Sequence, residues 1–319
     1  MVAVRRTLPA CALLPRVEGE FDVLVDYHMH LERGPFTPDW LDRFLAVARE
    51  RGLAEIGISE HIYRFRESQA AYGAWWGAAD TAVDALRPGI APRPGTAAFA
   101  EKWWTERGDQ TLHEYTDLVR DAAARGLPVR LGIEADYFPG AEGAIRMVLA
   151  QAPFDYVIGS VHWIGPWGFD LLGVEGLWDG RDVDAMYREY FALLGCAARS
   201  GLFQIMAHPD LIKVMGHRPS AALDLEALYA EVAEVFAAAD VAVEVSTAGF
   251  RKPVDELYPA PGLLRACFRR GVTLSLASDA HRPEDVGLDF DQAVAFARDC
   301  GYREVSTFAG GRRRAVPLG

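Results

Sequence analysis

Six of the eight histidines in the chain stand where an apolar run finishes, and carboxylates stand beside them. The ends read Val-Asp-Tyr-His28-Met-His30, Ser-Glu60-His61, Gly-Ile-Glu134-Ala-Asp, Ser-Val-His162, Ala-His208-Pro-Asp and Ser-Asp279-Ala-His281. An ionisable group at the tip of a buried strand is costly unless something compensates it. Two residues apart on an extended segment, His28 and His30 project from one face and can take one cation between them. Asp279 and His281 repeat that relation. Neutral imidazole with carboxylate suits Zn, Fe or Mn better than Ca or Mg. The donors are too many for one tetrahedral site, which implies two or three metals sharing a bridging carboxylate, and Glu134 is the natural bridge. Each residue alone has a plainer reading, a hydrogen-bonded structural histidine or a helix-capping acid; as a set they would be badly unsatisfied without metal. His113, opening a helix, and His217, in a loop, fall outside the pattern and read as structural.

The elements that must carry these tips are seven apolar runs rich in β-branched residues: Phe21–Asp26, Ala54–Ser59, Val129–Ile133, Tyr156–Ser160, Phe203–Ala207, Val241–Ser246 and Val272–Ala277. Continuous apolar runs of this kind suit parallel strands buried on both faces. Glu304–Phe308 is a weaker eighth. Helical patterns lie between them. Thr37-Pro38-Asp39 opens one that Gly52 closes, and Asp182–Arg199, Leu223–Ala238 and Asp289–Cys300 repeat the theme. Alternating strands and helices mean an α/β fold with a parallel sheet. Polar residues at the ends of many strands favour a closed barrel, whose strand ends share one mouth. An open doubly wound sheet gathers them at one switch point, usually beside a Gly-rich loop that is missing after the first strand.

With 319 residues, half of them apolar, the chain can bury a large core. A net charge of −12 without a basic run argues against nucleic acid. No apolar stretch approaches the ~18 residues of a membrane span. Four scattered cysteines (Cys11, Cys196, Cys267, Cys300) suit a reduced, cytoplasmic protein. Residues 1–20 read as a flexible extension, and 21–319 as one barrel domain. About residues 63–112 do not fit the repeat. From Tyr63 to Gln110 the chain is rich in Pro, Gly and Trp, which reads either as a lid over the mouth or as an aromatic mini-core packed on the barrel.

These motifs in this order resemble the PHP (polymerase and histidinol phosphatase) family. Segments that bear no ligand extend the likeness to its histidinol-phosphate phosphatase branch, among them "GIEADYFPG", "FDYVIGSVHWIGPWGFD", "VSTAGFRKPVDELYP" and "SDAHRPEDVG". The resemblance covers roughly 24–62 and 113–318. It implies a distorted TIM-like (β/α)7 barrel with a trinuclear metal centre at the C-terminal ends of the strands. Carried over, the first metal takes His28, His30, Glu134 and Asp279, the second Glu134, His162 and His208, and the third His61 and His281. Relatives usually add a His or Asp just beyond H-x-H, where this chain offers Glu32. Amidohydrolases also begin with H-x-H, but they bridge with a lysine and end in a lone aspartate.

The implied function is a metal-dependent phosphomonoester hydrolase, acting foremost on L-histidinol phosphate. The metals would acidify the attacking water, neutralise phosphate oxygens and orient in-line attack. Asp279 would steer the nucleophile, and His281 or a metal-bound water would protonate the leaving alkoxide. Arg251 and Lys252, after the sixth strand, and Lys213, after His208, are the candidates for phosphate contact. The partner is then a small phosphate monoester, with no nucleic acid and no membrane, and a homodimer stays open. Two alternatives remain: a PHP phosphoesterase for another small phosphate or nucleotide, and a metal-binding module without turnover.

Overall fold

The computed structural model describes residues 23–78, 96–171 and 175–319. The expected flexible stretch 1–20 and the middle of the Trp-rich insertion lie outside them. All seven apolar runs form strands. They are β1 (Val25–Asp26), β2 (Glu55–Ile58), β3 (Val129–Leu131) continued by β4 (Glu134–Asp136), β5 (Ile158–Ser160), β8 (Ile205–Met206), β9 (Ala242–Ser246) and β10 (Leu274–Ala277). Between β5 and β8 lies a short antiparallel hairpin of β6 (Trp163–Ile164) and β7 (Trp167–Gly168).

The barrel strands pair in parallel as two arcs, β1-β2-β3 and β4-β5-β8-β9-β10. The β3–β4 run passes from one arc to the other. The second join is β1 against β10, through the Tyr27 N–H on the Leu276 carbonyl at 3.3 Å and the His30 N–H on the Ala280 carbonyl at 2.8 Å. A distorted seven-stranded barrel results. Every residue of β9 and β10 is buried, as in parallel strands covered on both faces.

Helices α1 (Pro38–Glu50), α4 (Leu112–Ala124), α5 (Glu142–Leu149), α6 (Val183–Arg199), α7 (Leu225–Ala239), α8 (Pro261–Arg269) and α9 (Phe290–Asp299) alternate with these strands; the insertion adds α2 (Gln69–Ala78) and α3 (Ala97–Thr105). Asp182 and Asp224 cap α6 and α7 by accepting the Ala185 and Ala227 N–H groups. Thr37 stands at the start of α1 without a side-chain cap, so Pro38 and the acid Asp39 mark that end.

Tyr156 fills the barrel interior and donates its hydroxyl to the Tyr27 carbonyl at 2.7 Å. Glycine is required at Gly57 and Gly132, since a Cβ there would lie 2.0 and 2.3 Å from Tyr156. The weak eighth run does not join the barrel. It is β11 (Glu304–Ala309), paired antiparallel with β12 (Arg312–Pro317) across a turn in which Gly310 and Gly311 hold positive φ. Phe308 of this hairpin meets Tyr27 edge-on at 5.5 Å and Tyr156 tilted at 5.6 Å.

The insertion leaves the barrel after His61 and returns to the same place. Arg66 N–H bonds the Gln110 carbonyl and Gln110 N–H bonds the Arg64 carbonyl, both at 3.0 Å. Its two ends are therefore zipped together at the mouth.

Candidate metal centre

The strand ends converge on Glu134, whose two carboxylate oxygens face different partners. Oε2 lies 3.4 Å from His28 Nε2, 3.7 Å from His30 Nε2 and 2.6 Å from His61 Nδ1. Oε1 lies 3.3 Å from His208 Nε2 and 3.6 Å from His162 Nε2. Asp279 Oδ1 approaches His30 Nε2 at 3.3 Å and His28 Nε2 at 3.8 Å. Among the described residues, three trios have ligand atoms close enough to share an ion: His28, His30 and Asp279; His28, Glu134 and His208; and His30, His61 and His281. The sequence assigned His28 and His30 to a single metal, whereas each belongs to two of these trios. Glu32 accepts from the Tyr63 hydroxyl at 3.1 Å and lies 3.6 Å from His281 Nε2, at the edge of the cluster.

Two of these residues have positive φ, His208 at 24° and Asp279 at 50°. Such backbone is uncommon outside glycine and persists only where the surroundings enforce it. Around Asp279 they do so visibly: the Asp26 carboxylate accepts the Ser278 N–H at 3.0 Å and hydroxyl at 2.5 Å, and Arg251 donates to the Ser278 and Asp279 carbonyls.

Three further carboxylates orient the histidines. Glu244 accepts from His28 Nδ1 at 2.9 Å and from the His208 N–H at 2.8 Å, so one side chain fixes two members of the cluster. Asp136 accepts from His162 Nδ1 at 2.7 Å and from the Tyr72 hydroxyl. Glu60 accepts the Leu31 and His61 N–H groups at 3.0 and 2.9 Å. Holding Nδ1 of His28 and His162 in this way turns Nε2 of each toward Glu134. Glu244 had a sequence signal, a carboxylate alone among valines in Val-Ala-Val-Glu-Val-Ser. Asp136 had one in "EAD".

The electrostatics of the cluster call for positive charge. Burial opposes protonation of His28, yet Glu244, Glu134 and Asp279 hold its pKa well above the ordinary value. Burial is likewise outweighed at His30, held at about 9 by Asp279 and Glu60, and at His162, held at about 10 by Asp136 and Asp170. Against their own burial, Glu134 and Asp279 are held well below the carboxylate range, both with His28 as the foremost opposing charge. His28 Nε2, His30 Nε2, His61 Nδ1 and Glu134 Oε2 are buried without a hydrogen-bond partner although they face one another. Converging, buried, unbonded nitrogen and oxygen donors around excess negative charge fit divalent cations, which displace the protons.

His61, His162, His208, Asp279 and His281 line a cleft of about 150 Å³, together with Tyr63, Trp103, Trp163, Asp170, Lys252 and Tyr258. The three expected phosphate contacts separate here. Lys252 lines the cleft. Arg251 does not: one end of its guanidinium is spent on the Ser278 and Asp279 carbonyls, although Nη1 stays buried without a partner. Lys213 does not line the cleft either. It is 2% exposed and lies 3.2 Å from Asp210 and 3.4 Å from Glu256, with its ammonium donating to the Leu257 carbonyl at 2.9 Å. The tryptophans divide too. Trp103 meets Tyr63 and Trp163 edge-on at 4.7 and 5.1 Å in the cleft wall, whereas Trp104 donates its indole N–H to Ser68 inside the insertion. His113 is exposed and 3.0 Å from Asp117, and His217 stacks on Trp178.

The solved structure of histidinol phosphate phosphatase from Lactococcus lactis subsp. lactis, complexed with zinc, L-histidinol and phosphate, superposes with a TM-score of 0.66. It is 20% identical and the match covers 91% of this chain and 98% of that one. A Deinococcus radiodurans protein called "Probable histidinol-phosphatase" is 47% identical over 189 residues, 59% of this chain and 71% of its own length. The histidinol-phosphatase of Lactococcus lactis is 24% identical over 191 residues, 58% of this chain and 69% of its own length. The PHP domain model matches residues 26–248. From before the first strand-end histidine to just beyond Glu244, the chain belongs to the PHP domain family.

Proposed function

We propose that this protein is a metal-dependent phosphatase that hydrolyses L-histidinol phosphate. The observation that carries the metal part is Glu134, with one oxygen facing His28, His30 and His61 and the other facing His162 and His208. We assign His28, His30, His61, Glu134, His162, His208, Asp279 and His281 as ligands of two or three Zn, Fe or Mn ions, with Glu32 at the margin. Such cations, when bound, neutralise phosphate oxygens and acidify water. The relatives named for histidinol phosphate, and the zinc, histidinol and phosphate in one of them, support the substrate.

The chain's own groups then have distinct tasks. Asp279 lines the cleft and orients the attacking water. Lys252 offers its ammonium to a phosphate oxygen. Arg251 holds the Ser278–Asp279 backbone, so it acts on the phosphate only through Nη1. His281 Nδ1 donates to the Asp279 carbonyl at 3.0 Å, which leaves Nε2 alone for other work. One nitrogen cannot hold a cation and deliver a proton at once. Because His281 shares a trio with His30 and His61, we give it the ligand role and leave the alkoxide proton to water in the cleft. Cytoplasmic placement belongs to the same reading: Cys196, Cys267 and Cys300 are free thiols. Among the described residues, no helix is long and apolar enough to cross a membrane.

The test is phosphate release from a small panel of phosphate esters including histidinol phosphate, with metals quantified on the same sample. Two or three equivalents of metal and a clear preference for histidinol phosphate are expected. Less than one equivalent after growth with added metals would remove the metal reading, and preference for another ester would replace the substrate.

A further inference from the structure

One wall of the cleft carries a carboxylate that the metal cluster does not use. The β6–β7 hairpin carries the chain away from His162 and back again, and the Phe169 N–H bonds the His162 carbonyl at 3.2 Å. Asp170 follows at once and lines the same cleft as His162, Trp163 and Trp103. Its Oδ1 is buried and has no hydrogen-bond partner among the described residues. A buried carboxylate oxygen without a partner costs several times what a bonded one does, so a site that keeps one is built for something that arrives.

His162 is not what it waits for. The Nδ1 of that ring is committed to Asp136 at 2.7 Å and its Nε2 faces Glu134 at 3.6 Å, which leaves no N–H for Asp170. Nor does any lysine or arginine come within ion-pair distance of Asp170 among the described residues. The cleft it lines is otherwise rich in aromatic faces, Tyr63, Trp103 and Trp163 among them. Carboxylate beside indole and phenol faces is the chemistry that takes up a small organic cation.

Resting on the substrate reading above, we propose that Asp170 accepts the ammonium of an amino-substituted phosphate monoester and so sets the preference for amine-bearing substrates. The ammonium is the natural partner rather than the imidazole, because an alkyl ammonium is charged throughout the neutral range whereas a free imidazole is largely neutral. Phosphate at the cluster and Lys252, and ammonium at Asp170, would fix a substrate at both ends and leave the phosphorus over the ligand set. Asp170 is then a specificity-determining residue, not a ligand.

The experiment compares Asp170→Asn with the wild type on two matched pairs, each with and without the amine: histidinol phosphate against 3-(imidazol-4-yl)propyl phosphate, and 2-aminoethyl phosphate against propyl phosphate. Metal content is measured on both proteins. The wild type should favour the amine in each pair by tenfold or more in kcat/KM, chiefly through KM. Asp170→Asn should bring both ratios to within about twofold of one at full metal content, and Asp170→Glu should restore part of the preference. Equal losses on both members of a pair, metal loss, or a wild type indifferent to the amine would overturn the proposal. A wild type inactive on histidinol phosphate that still prefers 2-aminoethyl phosphate, with the preference lost in Asp170→Asn, would sink the histidinol reading and keep the amine site.

Discussion

Replacing Glu244 by Gln probes how the cluster is aimed without touching a ligand. The carboxylate accepts two N–H groups, one from the His208 backbone at 2.8 Å and one from His28 Nδ1 at 2.9 Å. A glutamine has one acceptor oxygen. The backbone N–H of His208 cannot change its role, so it claims that oxygen, and the amide NH2 turns to His28. Two donors then face each other unless His28 moves its proton to Nε2, the nitrogen that faces Glu134 and Asp279. In that tautomer His28 cannot bind a cation. A charged acceptor contributes about 1.5–3 kcal/mol and a neutral one about 1. The loss of about 1–2 kcal/mol corresponds to roughly five- to thirtyfold in affinity, and the tautomer adds to it, within the ten- to hundredfold typical of partners to ligating histidines. The assay strips the protein with a chelator, confirms the fold by circular dichroism, and titrates zinc against a fluorescent competitor. One equivalent should bind roughly ten to a hundred times more weakly in Glu244→Gln. Binding within twofold of wild type would refute the claim that Glu244 aims His28.

Other outcomes follow from the same geometry. Glu134→Gln should lose the metals bridged between its two oxygens and abolish phosphatase activity while far-UV circular dichroism is retained; full activity would show that the bridge lies elsewhere. Lys252→Ala should lower kcat/KM for histidinol phosphate by about tenfold to a hundredfold, the worth of a charged hydrogen bond, with metal content intact. Arg251→Ala should instead lower kcat and loosen metal binding together, because its contacts are with the backbone that carries Asp279; a pure KM effect would return it to direct phosphate binding. Trp103→Ala should narrow the kcat/KM advantage of histidinol phosphate over a small generic ester, whereas Trp104→Ala should lower thermal stability by about 3–5 kcal/mol and leave that ratio alone.

The convergence of the strand-end histidines was legible because a strand end is where a buried apolar run has no reason to carry charge, and six histidines in that position left few alternatives. Glu244 was missed although it stands in the same kind of run, since a single carboxylate inside a strand also fits an outward-facing residue at period two. Lys213 was misplaced for a different reason. Its position after His208 put it near the mouth, but Asp210 at φ 71° bends the chain so that the lysine turns inward to Asp210. The eighth run was weaker than the other seven, and the Gly310-Gly311 pair that follows it is the signal for a hairpin. In the insertion, tryptophan content alone could not tell a wall residue from a packing residue, and Trp103 and Trp104 proved to be one of each.

The barrel closes along a join between β1 and β10 held by few backbone bonds, and the cluster straddles it. His28 and His30 continue from one side, while Asp279 and His281 continue from the other. Any cation held by His28, His30 and Asp279 is thus a rivet across this join. Amide protons of residues 27–30 and 277–281 should exchange far faster once chelators strip the protein than those of β4, β5 and β9, and losing metal would open the mouth like a split stave while the rest of the cask stays tight.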